Sequence, residues 1–264
     1  MLAEERQARI LEVLSESENG IVTVSALSEL FGVSGMTIRR DLSRLEEAGL
    51  VRRVHGGAVS YEGVVYEKPF LTREKECGQE KQEIGRLAAQ MIANGETIIL
   101  DGGTTTQQIA RNLAHKEELT VVTNAIPVAV ALSNYLRVQT IMLGGMLKRK
   151  ELCMVGPPVI EELSRMSVDK LFLSAAGFTV ERGATDPDIR ETEVKRAMIK
   201  AAREVILVAD SSKYGYVAFA QIAPLRAIHK IVTDDGLSAQ AIEAIEAEGV
   251  EVTMPGHAAA NGAG

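Results

Sequence analysis

Apolar residues recur with a helical period in three short segments at the start of the chain. Spacings of three and four residues place the apolar positions of each segment on one helical face. These positions are Ile10, Val13 and Leu14 in the first segment, Val24, Leu27, Leu30 and Phe31 in the second, and Ile38, Leu42 and Leu45 in the third. The pattern predicts three amphipathic helices that pack on one another.

Two short strand-like runs follow the third predicted helix. Residues 50–54 read LVRRV and residues 58–61 read AVSY, and the turn HGG lies between them. Two such runs around a glycine turn predict a β-hairpin. Three helices followed by a hairpin predict a winged helix-turn-helix domain, which we place at residues 1–61.

The pattern changes after this hairpin. Residues 62–75 have no clean period and contain Pro69, so we interpret them as a linker to a second domain at residues 76–255. In that domain apolar strand-like runs alternate with amphipathic helices, the clearest of which spans 189–203. The predicted strands are residues 97–101, 119–123, 138–143, 170–176, 204–210, 229–234 and 250–254. This alternation predicts an α/β domain with a mainly parallel sheet covered on both faces.

Composition and length are consistent with two globular domains. The chain has 264 residues, of which 46% are hydrophobic and 25% are charged,. Its two cysteines, Cys77 and Cys153, lack the spacing of a metal site, so we expect reduced thiols and no metal or cofactor,. The first ten residues do not resemble a signal peptide, and the least polar stretch, 119–136, contains Asn124 and Pro127,. We therefore expect a soluble, cytoplasmic protein, and we predict that residues 256–264 form a frayed tail.

The third predicted helix has the features of a DNA-reading helix. Gly32 breaks the preceding helix, and Ser34 is a good N-cap. The outer face carries small, hydroxyl-bearing and arginine residues: Gly35, Met36, Thr37, Arg39, Arg40, Ser43 and Arg44. Arginine can bind guanine through two hydrogen bonds, and threonine can contact a base edge or a phosphate. These properties suit a helix in the major groove.

Positive charge is concentrated in this segment although the whole chain carries −7. Five arginines and three acidic residues between Met36 and His55 give +2. Asp41 is interpreted as a restraint on Arg40 or Arg44. A merely solvated helix face would also explain the arginines, but the three-helix pattern and the hairpin favour contact with DNA phosphates.

The run TVSALSELFGVSGMTIRRDLSRLEEAGLVRRVHGGA, residues 23–58, closely resembles the N-terminal domain of the DeoR family of bacterial sugar-metabolism regulators. The resemblance implies that the recognition helix and the wing contact DNA, although a hydrogen-bonded turn histidine would also explain His55. At Gly35 many family members carry proline, so the helix start is expected to be looser. The residues expected to bind DNA are Ser34, Met36, Thr37, Arg39, Arg40, Arg44, Arg53 and His55.

Glycine- and hydroxyl-rich turns follow several predicted strands of the second domain. The first reads DGGTTT, residues 101–106, and leads into a helix whose first N–H groups can bind an anion,. It is neither a Walker A loop nor a GxGxxG fingerprint, and a capped helix start with turn glycines would explain it equally well. The carboxyl ends of parallel strands share one edge, where open α/β sheets bind ligands.

Other candidate residues follow later strands. Lys213, in the run ADSSKYG, is either a phosphate partner or an exposed loop lysine,. The run KRK at 148–150 supplies positive charge nearby, and we interpret it as a solvated loop.

These turns resemble the sensor domain of the DeoR family, which is related in fold to ribose-5-phosphate isomerase. The Asp-x-Gly-Thr-Thr loop, the Thr-Asn turn, the Gly-Gly turn and the D-x-S-K-[YF]-G run occur in the family's order, and at Gly102 many members carry serine. The resemblance covers about residues 6–254 and implies a phosphorylated sugar effector that releases the protein from DNA. The residues expected to bind it are Asp101, Gly102, Gly103, Thr104, Thr105, Thr106, Thr123, Asn124, Gly144, Gly145, Glu193 and Lys213.

An isomerase-like enzyme with an added DNA-binding domain is the alternative function. It would need a carboxylate that moves a proton beside a carbonyl, and Asp186, Asp188, Glu191 and Glu193 are the candidates,. We interpret the aspartates as a helix start and Glu191 as a partner of Lys195. The expectation is therefore a repressor of a sugar or carbohydrate operon, without catalytic residues. Its expected partners are operator DNA, a phosphorylated sugar and further copies of itself in a dimer or tetramer, with no membrane partner.

Overall fold

The computed structural model describes residues 3–16, 21–47, 50–54, 56–60 and 69–255. The chain divides into two compact units between Pro69 and Phe70. The last part of the predicted linker, residues 70–75, therefore belongs to the second unit, where it begins with a short helix. The first half of the predicted linker, residues 62–68, and the predicted tail, residues 256–264, lie outside the described residues.

The first unit contains three helices and a small antiparallel sheet. Its elements are α1 Ala3–Glu16, β1 Ile21–Thr23, α2 Val24–Phe31, α3 Gly35–Glu47, β2 Val51–Val54 and β3 Gly57–Ser60. The strand order is β1-β3-β2. The three helices and the β2–β3 hairpin are those predicted, whereas β1 was not, because three residues show no readable alternation.

The caps of α2 and α3 set the geometry of the helix-turn-helix. Thr23 accepts a hydrogen bond from the Ala26 N–H at 3.1 Å and begins α2. Gly32 ends α2 with φ of 63°, a left-handed conformation that glycine adopts without strain,. Ser34 Oγ accepts from the Thr37 N–H at 3.2 Å and begins α3, as expected for an N-cap,.

The predicted apolar faces form the core of the first unit. Ile10, Leu14 and Leu27 are buried, as are Ile38, Leu42 and Leu45 of α3. Leu30 is the exception, because 59% of it is exposed. The core therefore fixes which face of α3 points outward.

The second unit is an α/β domain. Its helices are α4 Phe70–Arg73, α5 Gly78–Gln90, α6 Thr104–Arg111, α7 Ile126–Leu132, α8 Pro157–Leu163, α9 Ile189–Ala201 and α10 Ala239–Ala247. Its strands are β4 Thr97–Leu100, β5 Leu119–Thr123, β6 Val138–Met142, β7 Met146–Lys148, β8 Cys153–Val155, β9 Val168–Leu173, β10 Gly177–Thr179, β11 Gly183–Asp186, β12 Ala202–Val208, β13 Ala220–Ala223, β14 Lys230–Val232 and β15 Glu251–Thr253.

The seven predicted strands form one sheet, in the order β15-β14-β12-β9-β4-β5-β6. Every neighbouring pair in it is parallel. Ile98, Ile99 and Leu100 of β4 are all fully buried. Because successive residues of a strand point to opposite faces, this continuous burial means that both faces are covered.

Two smaller sheets were not predicted. β10, β11 and β13 form an antiparallel sheet, and β7 pairs with β8 in a hairpin. Each of these strands has only three or four residues, too few for a hydrophobic period to be read. Within the described part of the chain, every helix is too short or too polar to cross a membrane.

Candidate functional site

The outer face of α3 is open to solvent. Met36 is 76% exposed, and Arg39, Arg40 and Arg44 are exposed beside it. Among the described residues, none of these three arginines has an ion-pair partner. This arrangement leaves the guanidinium groups available to an external anion.

A groove of about 560 Å³ lies along α3. It is lined by Ala3, Arg6, Ser34, Met36, Thr37, Arg40, Asp41 and Arg44, which include five of the eight residues predicted to bind DNA. The structure therefore places most of the residues predicted to bind DNA on one surface.

Asp41 is not the restraint on Arg40 or Arg44 that we predicted. It is buried and accepts a hydrogen bond from Arg6 Nε at 2.6 Å and one from Gln7 Nε2 at 3.2 Å. The correction follows from the core packing, since Asp41 lies on the inner face of α3 opposite α1. Sequence reasoning missed Arg6 because the partners are 35 residues apart.

Arg53 of the hairpin is exposed and tied to α3. Its Nη1 donates to Ser43 Oγ at 2.8 Å, and its backbone N–H donates to Glu46 Oε1 at 2.9 Å. The hairpin and α3 thus hold their arginines in fixed relation. His55 lies outside the described residues.

In the second unit, a buried charge cluster organises the ends of the parallel strands. Lys195 Nζ of α9 lies 3.0 Å from Asp101 Oδ2 and 3.2 Å from Asp186 Oδ2. Asp101 also accepts from the Ser174 N–H and hydroxyl at 3.0 and 2.8 Å. Asp101 therefore ties the loop after β4 to the loop after β9.

The DGGTTT turn behaves partly as predicted. Thr104 and Thr105 line a cavity at the start of α6. Thr106 instead uses its hydroxyl inside the turn, where it donates to the carbonyls of Asp101 and Gly103 at 2.7 and 2.9 Å. Its contribution is to shape the loop.

Thr123 and Asn124 follow β5 and are both buried. Thr123 Oγ1 accepts from the Ala125 N–H at 3.1 Å. Asn124 Nδ2 donates to the Met154 carbonyl at 2.9 Å, whereas its Oδ1 has no hydrogen-bond partner among the described residues.

The cavity at the start of α6 is small, with a volume of about 50 Å³. Ten residues of the sheet edge line it: Gly103, Thr104, Thr105, Ser174, Ala175, Val208, Ala209, Asp210, Ser212 and Lys213. Four residues of the segment that precedes β4 complete the lining: Arg73, Glu76, Cys77 and Lys81. The structure therefore brings Lys213 together with the predicted threonines.

Lys81 is the main residue of this cavity that sequence reasoning missed. It is buried, and its Nζ donates to the carbonyls of Arg73 and Glu76, each at 2.6 Å. Burial lowers the pKa of Lys81, and the nearby Asp210 carboxylate opposes that shift. A signal was present, because Lys81 shares the apolar face of α5 with Ile84 and Ala88,.

A second ion-paired group surrounds Lys148, so the prediction of a solvated loop is wrong for this residue. Lys148 pairs with Glu191 and lies 3.2 Å from Asp188 Oδ2. Burial alone would lower the pKa of Lys148, but the Glu191 carboxylate outweighs it, and the net pKa is raised. Arg149 and Lys150 are exposed.

Eight of the twelve predicted ligand residues do not line the cavity, and three of these eight are exposed. Gly144 and Gly145 are exposed in the turn between β6 and β7. Glu193 is exposed on α9 and lines a separate groove with Ile160 and Arg196. Its neighbour Glu191, on the buried face, is the glutamate that contacts Lys148.

Comparison with known proteins matches both units to one family. The family described as "DeoR-like helix-turn-helix domain" matches residues 6–64, and the "DeoR C terminal sensor domain" matches residues 76–235.

The chain is also similar to individual proteins. It is 39% identical to the HTH-type transcriptional regulator YulB of Bacillus subtilis, over 96% of this chain and 97% of that protein. It is 37% identical to the HTH-type transcriptional repressor GlcR of Bacillus subtilis, over 96% and 97%. A crystal structure of ribose 5-phosphate isomerase A from Neisseria gonorrhoeae matches 51% of this chain and 52% of its own, at 16% identity and a TM-score of 0.37. At that identity and score, the similarity carries no information about activity.

The buried charge cluster leads to a prediction about stability. Lys195→Met would leave Asp101 and Asp186 buried without their cation, so we expect the second unit to lose about 3–5 kcal/mol. Lys200→Met, on the exposed side of the same helix, should change the free energy of unfolding by less than about 0.5 kcal/mol,. Calorimetric unfolding of both variants measures this difference, and equal effects would refute a structural role for the cluster.

Proposed function

This chain belongs to the DeoR family of HTH-type transcriptional regulators, and from that premise we propose that it represses an operon of sugar or carbohydrate metabolism. In this proposal a phosphorylated sugar binds the second unit and releases the first unit from operator DNA. The naming of the relative GlcR as a transcriptional repressor supports the sign of regulation. The observation that carries the proposal is the small cationic cavity beside the start of α6.

We propose that α3 enters the major groove. Ser34, Met36, Thr37, Arg39, Arg40 and Arg44 would then face DNA, and Arg53 would approach a phosphate. The exposure of the three α3 arginines supports this role, since they can contact base edges or backbone phosphates,. One small DNA-binding unit offers little area for specific binding, so a dimer or tetramer on repeated half-sites is part of the proposal.

The cavity of the second unit suits a phosphate group. Arg73, Lys81 and Lys213 bring three positive charges, against Glu76 and Asp210. The first N–H groups of α6 have no partner within the helix and can donate to phosphate oxygens. A phosphate bound here would lie at the edge where all seven strands end.

The cavity must open to admit a whole sugar phosphate. Its volume of about 50 Å³ is far below the roughly 300–1,000 Å³ typical of small-molecule pockets,. Residues 70–77, which we call the strap, supply one side of the lining through Arg73, Glu76 and Cys77. Displacement of the strap would enlarge the cavity.

The strap is held by the buried side chain of Phe70, by an ion pair between Glu74 and Arg111, and by further polar contacts. The Phe70 N–H donates to the Lys150 carbonyl at 2.8 Å, Arg73 pairs with Glu151, and Lys81 donates to two strap carbonyls. A phosphate would compete for the Lys81 ammonium, because a charged acceptor forms a stronger hydrogen bond than a carbonyl. Ligand binding would thus loosen the strap.

The strap also precedes the rest of the second unit and follows the DNA-binding unit in the chain. A ligand can regulate only if it favours one arrangement over another. We propose that strap displacement supplies this difference and changes how the DNA-binding units are presented.

The isomerase alternative has weaker support. Asp186 contacts Lys195, and Glu191 contacts Lys148. Asp188 caps α9 and, although burial opposes this, hydrogen bonds from Arg190 hold its pKa well below the ordinary range. Proton abstraction by any of these three would require breaking an existing charge pair, so we propose no catalytic role.

Arg40→Ala tests the DNA-facing role of α3. We expect weaker operator binding and a salt slope reduced by about 1, because one phosphate or base contact is lost. Fluorescence anisotropy on operator DNA at several salt concentrations measures both. Arg86→Ala, an exposed arginine of α5, is the control with the same charge change, and an unchanged slope in Arg40→Ala would contradict the proposal.

Lys213→Met tests the phosphate subsite. Loss of one charge-assisted hydrogen bond should weaken phosphorylated-sugar binding by about tenfold or more. Isothermal titration on the full chain measures the affinity. Lys75→Met removes an exposed lysine of the strap that does not line the cavity, and it should bind as the unchanged protein does. Equal affinities in both variants would remove Lys213 from the site.

Glu151→Gln tests the strap. Weakening the Arg73–Glu151 pair by about 1 kcal/mol should lower the effector concentration for half-release from DNA by about fivefold, since opening costs less. DNA release during effector titration measures this shift. Glu161→Gln breaks an exposed pair within α8 and its following turn and serves as control. An unchanged or higher half-release concentration in Glu151→Gln would argue against strap opening.

A further inference from the structure

The two edges of the seven-stranded sheet differ in length and charge. At one edge, β15 has three residues, and its Glu251 pairs with Lys230 of β14 at 3.1 Å. At the other edge, β6 reads VQTIM and contains no charged residue and no proline. It pairs with β5 over all five residues without a bulge. Charge, proline, bulges and shortness keep edge strands from pairing with another chain, and β6 lacks each of these devices.

Two residues of β6 direct their backbone groups away from the sheet. The Leu143 N–H donates to the Thr123 carbonyl of β5 at 2.8 Å, which sets the alternation along this part of the chain. Because successive residues of a parallel strand bond to opposite sides, Ile141 faces β5, whereas Thr140 and Met142 face outward. Among the described residues, the outward N–H and carbonyl groups of Thr140 and Met142 have no hydrogen-bond partner. β6 therefore offers a row of free donors and acceptors.

A second copy of β6 supplies the matching groups. When two copies run antiparallel about a two-fold axis at Ile141, Thr140 of each copy lies opposite Met142 of the other. Residues opposite each other in such a pair exchange N–H···O bonds in both directions. Every outward N–H and carbonyl of the two residues is then bonded, so the edge is complementary to itself.

The register of this pairing is set by Val138. Its N–H already donates to the Tyr135 carbonyl at 3.0 Å. A register centred on Thr140 would place Val138 opposite Met142 of the second copy and would leave that Met142 carbonyl without a donor. The register centred on Ile141 avoids this loss, because it uses only the groups that are free.

Exposed apolar side chains flank the strand at both ends. Leu136, just before β6, is 100% exposed, and Met146, after the turn that follows β6, is 58% exposed. Because the paired strands run antiparallel, the segment before β6 of one copy approaches the segment after β6 of the other. Burial of these side chains adds a favourable apolar contribution to the main-chain bonds. Residues 138–147 carry no charge, so self-pairing brings no like charges together,.

We propose that β6 pairs with β6 of a second copy, antiparallel about a two-fold axis at Ile141, and that this pairing joins the two sheets. The inference rests on the proposed function in one respect, because it takes the dimer proposed there and assigns the surface that forms it. A two-fold dimer also has the symmetry of an operator with palindromic half-sites.

Thr140→Pro tests the pairing. It removes an outward N–H and keeps the bonds to β5, since proline is tolerated where the N–H of an edge strand points away from the sheet. Sedimentation equilibrium of the full chain over a concentration series measures self-association. We expect the variant to have half the mass of the unchanged assembly. Its dissociation constant for this step should be at least tenfold higher, because each copy loses one hydrogen bond and gains a bulky ring at the contact.

Val252→Pro is the matched control at the opposite edge. The Glu251 N–H donates to the His229 carbonyl at 3.2 Å and so faces β14, which leaves the N–H of Val252 pointing outward from β15. This variant should associate as the unchanged protein does. Met142→Lys places a charge on a side chain that is already exposed, and it replaces Thr140→Pro if thermal unfolding shows that the latter does not fold,.

Cysteine crosslinking tests the register. Opposite residues of a non-hydrogen-bonded antiparallel pair have Cα atoms about 4.5 Å apart, within disulfide range. Ile141→Cys, combined with Cys77→Ser to remove the exposed native thiol, should therefore form a disulfide dimer on mild oxidation. Thr140→Cys in the same background is the control, because its two copies lie diagonally, roughly 7–8 Å apart, beyond that range. Non-reducing electrophoresis separates the two results.

Each outcome has a distinct meaning. Halved mass in Thr140→Pro but not in Val252→Pro, with a disulfide at residue 141, supports the pairing. Unchanged association of the edge variant, a disulfide at residue 140 instead of 141, or no disulfide at either position overturns it. A monomeric unchanged protein also overturns it, as expected if a strand of another protein occupies the edge. Operator binding and effector release by the unchanged protein test the proposed function separately, and both can succeed with a dimer formed by another surface.

Discussion

A parallel sheet brings the carboxyl end of every strand to the same edge, and the second unit of this protein depends on that constraint. Loops that are distant in sequence meet there, so Asp101 after β4 can accept hydrogen bonds from Ser174 after β9. This convergence also places two carboxylates, those of Asp101 and Asp186, close together in a buried region. Lys195 compensates the two negative charges, since its buried ammonium lies within 3.2 Å of both carboxylates,.

The buried contacts of this edge contrast with those of the strap, which are partly exposed. The sheet-edge residues are fixed by buried hydrogen bonds, whereas the strap is held by two ion pairs, Arg73–Glu151 and the more exposed Arg111–Glu74, by bonds to carbonyls and by the buried side chain of Phe70. In the proposed function, a ligand that binds between the sheet edge and the strap displaces the strap. The strap is also the segment that follows the DNA-binding unit in the chain. Sensing and release would thus follow from unequal stability on the two sides of one cavity.

Much of the fold could be predicted because long apolar patterns report burial directly. The three helices of the first unit and the seven strands of the parallel sheet follow such patterns. Individual ligand residues were harder to predict, because a two-residue step turns a helix by about 200°, and Glu193 and Glu191 therefore lie on opposite faces of α9,. Lys81 was missed because it precedes β4, whereas the candidate residues were sought in turns that follow strands. Asp41 was misinterpreted because its partner, Arg6, is distant in sequence.

In the proposed function, one chain couples phosphorylated-sugar binding to DNA release. The most direct measurement is a titration of the full chain, bound to DNA from upstream of its own gene, with phosphorylated sugars and their unphosphorylated counterparts. We expect at least one phosphorylated sugar to dissociate the complex at a concentration where its unphosphorylated form has no effect. Dissociation by both forms at equal concentrations, or by neither, would contradict it.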